Sequence, residues 1–154
     1  MNALIFGAGG QDGFYLRQLC NELGIASVGI SMFPETGCIQ GDISDYTQVE
    51  GWVKQYRPTY LFHLAANSTT NHQALFENHN AISTGTLNVL ECVRRHSPGT
   101  HVFITGSGVQ FRNVGQPISE HDEFEAGSAY AVSRIQSVYA ARYYRTLGVR
   151  AYVG

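Results

Sequence analysis

Leu4-Ile5-Phe6-Gly7-Ala8-Gly9-Gly10-Gln11-Asp12-Gly13-Phe14-Tyr15-Leu16 is the stretch on which the reading of the fold turns. Its apolar start has the character of a buried strand, its glycines mark a turn, and its end begins an amphipathic helix. Gly7, Gly10 and Gly13 are spaced G-x-x-G-x-x-G. Such spacing lets the chain turn tightly and brings the free N–H groups of a helix N-terminus against a pyrophosphate. A glycine triplet alone is a weak signal. Its place between a strand and a helix makes it a dinucleotide cradle.

Beyond this unit, strand-like runs recur at Ala3 to Phe6, Ala26 to Ile30, Cys38 to Gln40, Tyr60 to Leu64, His101 to Thr105 and Arg150 to Val153. Helix-like runs lie between most of them, and this alternation predicts a parallel sheet. In the first helix Leu16, Leu19, Cys20 and Leu23 fall at i, i+3, i+4 and i+7 and are expected to form one apolar stripe, with Gly24 as the stop. Asp45 is the expected N-cap of a helix over Tyr46 to Tyr56, ended by Pro58. A further helix, about Asn80 to Arg95, turns Ile82, Val89, Leu90 and Val93 inward and closes at Ser97-Pro98-Gly99. Ser128 to Leu147 reads as a long helix with Tyr130 near its start and Ile135 and Val138 on its inner face. The irregular stretch Gly106 to Gly127 follows the carboxyl end of a strand, where loops line sites in open α/β sheets.

With 154 residues the chain suits one domain, 1–154, with a sizeable core. A formal net charge of -2 and no run of like charges argue against a nucleic-acid partner or an anionic membrane surface. No apolar run has the length of a membrane span, and a cytoplasmic protein is expected. Cys20, Cys38 and Cys92 are odd in number and widely spaced, so reduced thiols are expected rather than a disulfide framework. The six histidines show no H-x-x-x-H spacing, and no metal site is predicted.

Three motifs in order resemble the extended short-chain dehydrogenase/reductase family, which includes NAD-dependent epimerases and dehydratases, and within it the GDP-mannose 4,6-dehydratase branch. Gly10-Gln11-Asp12-Gly13-Phe14-Tyr15-Leu16 resembles G-Q-D-G-x-Y-L. Gly41-Asp42-Ile43-Ser44-Asp45 resembles G-D-[LI]-[ST]-D, and His63-Leu64-Ala65-Ala66-Asn67-Ser68 resembles [HN]-L-A-A-x-S. Asn80 to Leu90 further resembles N-x-x-G-T-x-N-x-L, and Tyr130-Ala131-Val132-Ser133-Arg134 stands where the family has Y-x-x-x-K. The resemblance implies an α/β, Rossmann-type doubly wound parallel sheet with helices on both faces, cut short before a C-terminal substrate domain. It implies NADP or NAD as cofactor and a nucleotide-sugar substrate, oxidised transiently at C4.

By position, Gly7, Gly10, Gln11, Asp12 and Gly13 are implied at the pyrophosphate and Asp42 and Ile43 at the adenine. Leu64, Ala65 and Ala66 are implied at the ribose and the nicotinamide approach, and Ser31 stands at the end of the second strand. On a plainer reading Asp42 caps a turn and Leu64 to Ala66 are core. Tyr130 is implied as proton acceptor, with Arg134 four positions on supplying the positive charge that lets the phenol ionise below its usual range near 10. Both are also implied at the cofactor.

The chain departs from the family pattern at several points. Arg134 replaces lysine with a larger planar fork. Gly106 and Gly108 fall where the family places a catalytic Ser/Thr and a glutamate base, leaving Thr105 and Ser107 as candidate hydroxyls. After the second strand Ser31-Met32-Phe33 carries neither the acid expected for NAD nor the arginines expected for NADP, so the choice stays open. Alternatives to an epimerase or dehydratase are a cofactor-binding regulatory or interaction module that has lost its chemistry, and a nucleotide-sugar reductase. The helices Asn80 to Arg95 and Ser128 to Leu147 resemble a family dimer interface. A homodimer through outward Tyr139, Tyr143 and Tyr144 is a further expectation.

Overall fold

The computed structural model describes every residue, Met1 to Gly154. Six parallel strands, β1 (Asn2–Phe6), β2 (Ala26–Ser31), β3 (Cys38–Gln40), β4 (Tyr60–His63), β5 (His101–Ile104) and β6 (Arg150–Val153), form one sheet in the order β3-β2-β1-β4-β5-β6. The order reverses beside β1, between β2 and β4, which is where open α/β sheets bind ligands. All six strands fall within one residue of the expected bounds, because short buried apolar runs flanked by turns have few other ways to satisfy their backbone.

Helix α1 (Gln11–Glu22) packs on β1 and β2 on one face of the sheet. The other face carries α2 (Tyr46–Tyr56), α4 (Gly85–His96) and α5 (Ala129–Thr146). Side chains alternate across each strand accordingly: Leu4 and Phe6 enter the larger core, Ala3 and Ile5 the smaller one beneath α1. Over β4, β5 and β6 the α1 face presents a row of rings, Tyr60, Phe62, His101, Phe103 and Tyr152, with neighbouring centroids 5.9 to 6.5 Å apart.

The expected stripe on α1 is displaced. Cys20 is buried and Leu16 half-buried, but Leu19 and Leu23 are 49% and 63% exposed. The inner face instead runs Gly13, Leu16, Arg17, Cys20, because Gly13 is the point of contact with the sheet. A Cβ on Gly13 would lie inside contact distance of the Gly7 carbonyl oxygen and 2.6 Å from Ala8 Cα. The contact sets the helix rotation and leaves Leu19 and Leu23 off the face.

The helix expected from Asn80 starts earlier and changes form. A turn of α-helix, α3 (Leu75–Asn78), runs into a π-helical segment, His79–Thr84, and then into α4. The widened turn leaves the Ile82 carbonyl open to side chains, and Ser137 Oγ donates to it at 3.3 Å. Ile82, Val89, Leu90 and Val93 are fully buried as expected. On α5 Val138 is buried and Ile135 half-buried. Tyr144 is a correction: it is 9% exposed and donates to Glu91 Oε2 at 3.2 Å, while Tyr139 and Tyr143 do face outward. No helix is long and apolar enough to cross a membrane.

Two glycine substitutions test this packing by chemical denaturation. Gly13→Ala meets backbone atoms that cannot retreat and is expected to cost about 1–3 kcal/mol. Gly51→Ala, in the middle of α2 with open space around it, is expected to stabilise by about 0.5–1 kcal/mol.

Candidate functional site

The chain leaves β1 at Phe6 and turns at Gly7, whose φ of +83° few side chains tolerate and whose Cβ would meet Ala65 N at 2.7 Å. Gly7 and Ala8 both donate backbone bonds to Ile30 O, at 3.0 and 3.1 Å, tying the turn to the end of β2. Gly10 is then the N-cap of α1, with no side chain capping the helix. The first N–H groups of α1 are thereby left for a ligand.

These groups open onto a cavity of about 800 Å³ at the carboxyl ends of the strands. Its wall contains Gly7, Gly10, Gln11, Asp12, Gly13, Ser31, Asp42, Ile43, Leu64, Ala65 and Ala66. The fold thus gathers the residues expected at a cofactor's pyrophosphate, adenine and ribose. Asp42 Oδ1 accepts from Ser44 N at 2.8 Å, capping a turn as on the plainer reading, and the residue lines the cavity. Ile43 is buried, and Asn88 Nδ2 holds this loop through Ile43 O and Ser44 O at 3.0 and 2.9 Å.

The cavity fits a dinucleotide on steric grounds as well. A Cβ added to Gly10 would meet nothing of the protein closer than 3.4 Å. Packing therefore does not require glycine there, whereas a ligand lying on the N–H groups of α1 does.

Tyr130 and Arg134 stand apart from this wall. Ser128 Oγ accepts from Ala131 N at 3.1 Å and starts α5, placing both residues on its buried face at 9% and 3% exposure. Arg134 donates to the Tyr130 hydroxyl oxygen from Nε at 3.1 Å and Nη2 at 2.9 Å, and from Nη1 to Thr105 O at 2.5 Å. Its guanidinium also lies 5.0 Å from the Tyr130 ring centroid. No carboxylate belongs to this set. Thr105 is joined through its carbonyl, while its hydroxyl donates to His63 O at 3.2 Å. Ser107 caps the short 3-10 turn Gly108–Gln110, its side chain accepting from Gln110 N.

His63, at the end of β4, is fully buried. Burial and then the nearby Arg134 charge push its imidazole down to a pKa of about 4. Its Nε2 faces Ile82 O at 3.4 Å and its Nδ1 has no partner. The ring is thus neutral at physiological pH.

Several further cavity residues had no cofactor role assigned from the sequence. Met32, Phe33, Pro34 and Glu35 come from the β2–β3 loop, and Glu77, Asn80 and Ala81 from α3 and the π segment. Asn67 Nδ2 donates to Glu77 Oε2 at 2.7 Å, linking the loop after β4 to α3. Asn80 and Ala81 stand in a quoted motif, and Met32 and Phe33 in the quoted stretch after the second strand, which were the available signals. Glu35 lies four residues past the strand end, where no spacing rule points.

A family model for the NAD dependent epimerase/dehydratase family matches residues 3–154. The chain is 27% identical to GDP-mannose 4,6 dehydratase 1 of Arabidopsis thaliana, over 97% of this chain and 49% of that protein. UDP-glucose 4-epimerase from Brucella ovis, solved in complex with NAD, superposes with a TM-score of 0.88 at 20% identity over 99% of this chain and 50% of its own. UDP-glucose 4-epimerase from Thermotoga maritima, solved with UDP-glucose, gives 0.88 at 18% identity, over 99% of this chain and 54% of its own. The chain spans about half the length of the curated relatives it matches. The chain belongs to the NAD dependent epimerase/dehydratase family.

The buried imidazole yields a pH prediction. Unfolded, His63 takes up a proton near pH 6.5, whereas folded it resists until about pH 4. The stability it contributes is complete above pH 6.5 and falls as pH drops through that window, by about 3 kcal/mol at most. Denaturation midpoints compared between pH 7 and 4.5 should show a smaller loss for His63→Asn than for the wild type.

Proposed function

We propose that this member of the NAD dependent epimerase/dehydratase family holds a nicotinamide dinucleotide in the cavity and acts on a nucleotide-sugar. Residues 1–154 form the dinucleotide-binding domain, and a second domain supplies the grip on the sugar nucleotide. The observation that carries this reading is one shared wall: every cofactor residue expected from Gly7 to Ala66 lines the same cavity at the strand-order reversal. The relatives named above support it, since one is a GDP-mannose dehydratase and two are UDP-glucose epimerases.

The backbone N–H groups at the start of α1 bind the diphosphate, and their partial positive charge offsets part of its negative charge. Asp42 and Ile43 would hold the adenine, and Leu64 to Ala66 would line the approach of the nicotinamide. Bound coenzyme supplies a hydride acceptor that can later return the hydride. Tyr130 would accept the proton of the sugar C4 hydroxyl, which that hydroxyl must give up for the carbon to become a ketone. Arg134, which holds the phenolic oxygen by two N–H groups, would offset the negative charge that oxygen carries before it takes the proton. GDP-mannose is the first substrate to test and UDP-sugars the second. Three cysteines without a disulfide suit the cytoplasm, and pairing of two copies through α4 and α5 would use exposed Tyr139 and Tyr143.

A second reading draws on the same guanidinium. Arg134 covers the phenolic oxygen and is anchored to Thr105 O, and Gly106 and Gly108 offer no side chain. A cofactor-binding module without chemistry would tolerate all three features.

The test uses the full-length protein, NAD or NADP, and each nucleotide-sugar. A transient rise in reduced-coenzyme absorbance supports the enzyme, and Tyr130→Phe should lower it at least about 100-fold while coenzyme binding persists. Binding without any sugar-dependent signal would favour the module. Gly10→Ala should weaken coenzyme binding by about tenfold in calorimetry, with little change in melting temperature.

A further inference from the structure

Between Ala65 and Thr70 the chain crosses one wall of the cavity with little support from its own backbone. The segment makes a single main-chain hydrogen bond, Thr69 N to Asn67 O at 2.7 Å. Its first residues, with Leu64 before them, line the cavity as far as Ser68. Towards the 3-10 turn His72–Ala74 its bonding is local: Asn71 N donates to Thr69 Oγ1 at 3.2 Å, and Asn71 Oδ1 accepts from Gln73 N at 3.0 Å.

Two side chains tie the crossing to another element, and both come from α3. Glu77 Oε2 accepts from Asn67 Nδ2 at 2.7 Å, and Asn78 Nδ2 donates to Thr69 O at 3.0 Å. Helix α3 is a firm support. It packs against α5 and runs straight into the π-helical segment, whose Ile82 carbonyl is bound by Ser137 of α5.

Of the two, Asn78 has the environment that packing does not explain. It is 1% exposed, and its Oδ1 meets no donor of the protein. A buried amide matched on one side only is less favourable than an apolar side chain in the same space. What asparagine adds there is one bond, to a main-chain oxygen of the cavity loop.

We propose that Asn78 is a positioning residue: by holding Thr69 O from α3 it fixes the height of the wall from Leu64 to Ser68, and so the approach of a bound nicotinamide to the sugar carbon. The inference rests on the nucleotide-sugar reading above. Asn78 does not line the cavity, so it acts through the loop rather than by touching coenzyme or sugar. The bond between Glu77 and Asn67 is a second hold on the same loop. Hydride transfer depends steeply on how its two carbons are placed, and a shift of about 1 Å can cost about 100-fold in rate. A wall released from α3 needs to move by only part of that distance.

The test uses the full-length protein and three readouts: coenzyme affinity by nicotinamide fluorescence, the single-turnover rate of coenzyme reduction by a nucleotide-sugar, and amide hydrogen exchange along the chain. Asn78→Ala should speed exchange between Ala65 and Thr70 at least about tenfold, with β4 and α4 unmoved. It should lower the single-turnover rate at least about tenfold while the coenzyme Kd shifts by less than about threefold. Asn67→Ala, an exposed change that leaves the core untouched, should act in the same direction. Because both bonds hold one loop, the double variant should depart from the product of the two single effects. Unchanged exchange in the segment, a loosened segment with an unchanged rate, or single effects that simply multiply would each overturn the assignment. A general rise in exchange with rate and coenzyme affinity lost together also overturns it, since that marks Asn78 as structural only. If the wild type reduces neither coenzyme with any nucleotide-sugar, the reading of the site falls instead, and the role of Asn78 with it.

Discussion

The approach of Gly13 to the Gly7–Ala8 backbone is the contact on which the other features depend. It places the first turn of α1 directly over the end of β1, so the unpaired N–H groups of the helix face the opening rather than solvent along the flank. The same contact sets the rotation of α1 and so decides which of its side chains touch β1 and β2. A helix that stood further out by one methyl group would widen the turn. It would also loosen the pair of bonds from Gly7 and Ala8 to Ile30 O that join the turn to β2. Binding geometry and sheet packing are therefore two outcomes of one close approach.

On the opposite face the polar groups are tied to one another and to the protein's own main chain. His63, Arg134, Thr105 and Tyr130 form a buried knot joining β4, β5 and α5, with main-chain carbonyls as its acceptors. A guanidinium buried without a carboxylate is costly unless its donors are met, and here a phenolic oxygen and a carbonyl meet them. The neighbouring imidazole stays neutral because it is buried, and the guanidinium's charge adds to that. A lysine at this position could not reach both oxygens with a planar fork, so the exchange of lysine for arginine alters how α5 is tied to the sheet.

Much of the architecture was legible in the chain because strands buried on both faces leave continuous apolar runs, and because the glycine turn has few alternative meanings once flanked by a strand and a helix. The cavity wall from Gly7 to Ala66 was legible in part from the glycine turn and in part from the motif resemblance that marked Asp42, Ile43 and Leu64 to Ala66, which stand just past strand ends. Leu19 and Leu23 misled because helical spacing defines a stripe only up to a rotation, and a glycine with no side chain to count set that rotation. Tyr144 misled because its hydroxyl finds Glu91 across the α4–α5 contact, which no local pattern encodes. Glu35 was invisible in a loop whose path is decided by Arg17, eighteen positions earlier. The link from Arg134 to Tyr130 followed from their spacing, but the third bond to Thr105 O required the fold.

The π-helical turn at His79–Thr84 has a bearing on how this part of the chain can vary. It holds one residue more than an α-helical turn would need between the same two ends, which shifts the angular phase of α3 relative to α4 by about 100°. Glu77 and Asn80 reach the cavity only in that phase. Loss of a single residue from this turn would restore regular winding, leave Val89, Leu90 and Val93 seated, and swing the upstream side chains around the helix axis. The segment works as an indexing notch: a change of one residue in length there re-aims one wall of the cavity while the part of the core held by α4 stays assembled.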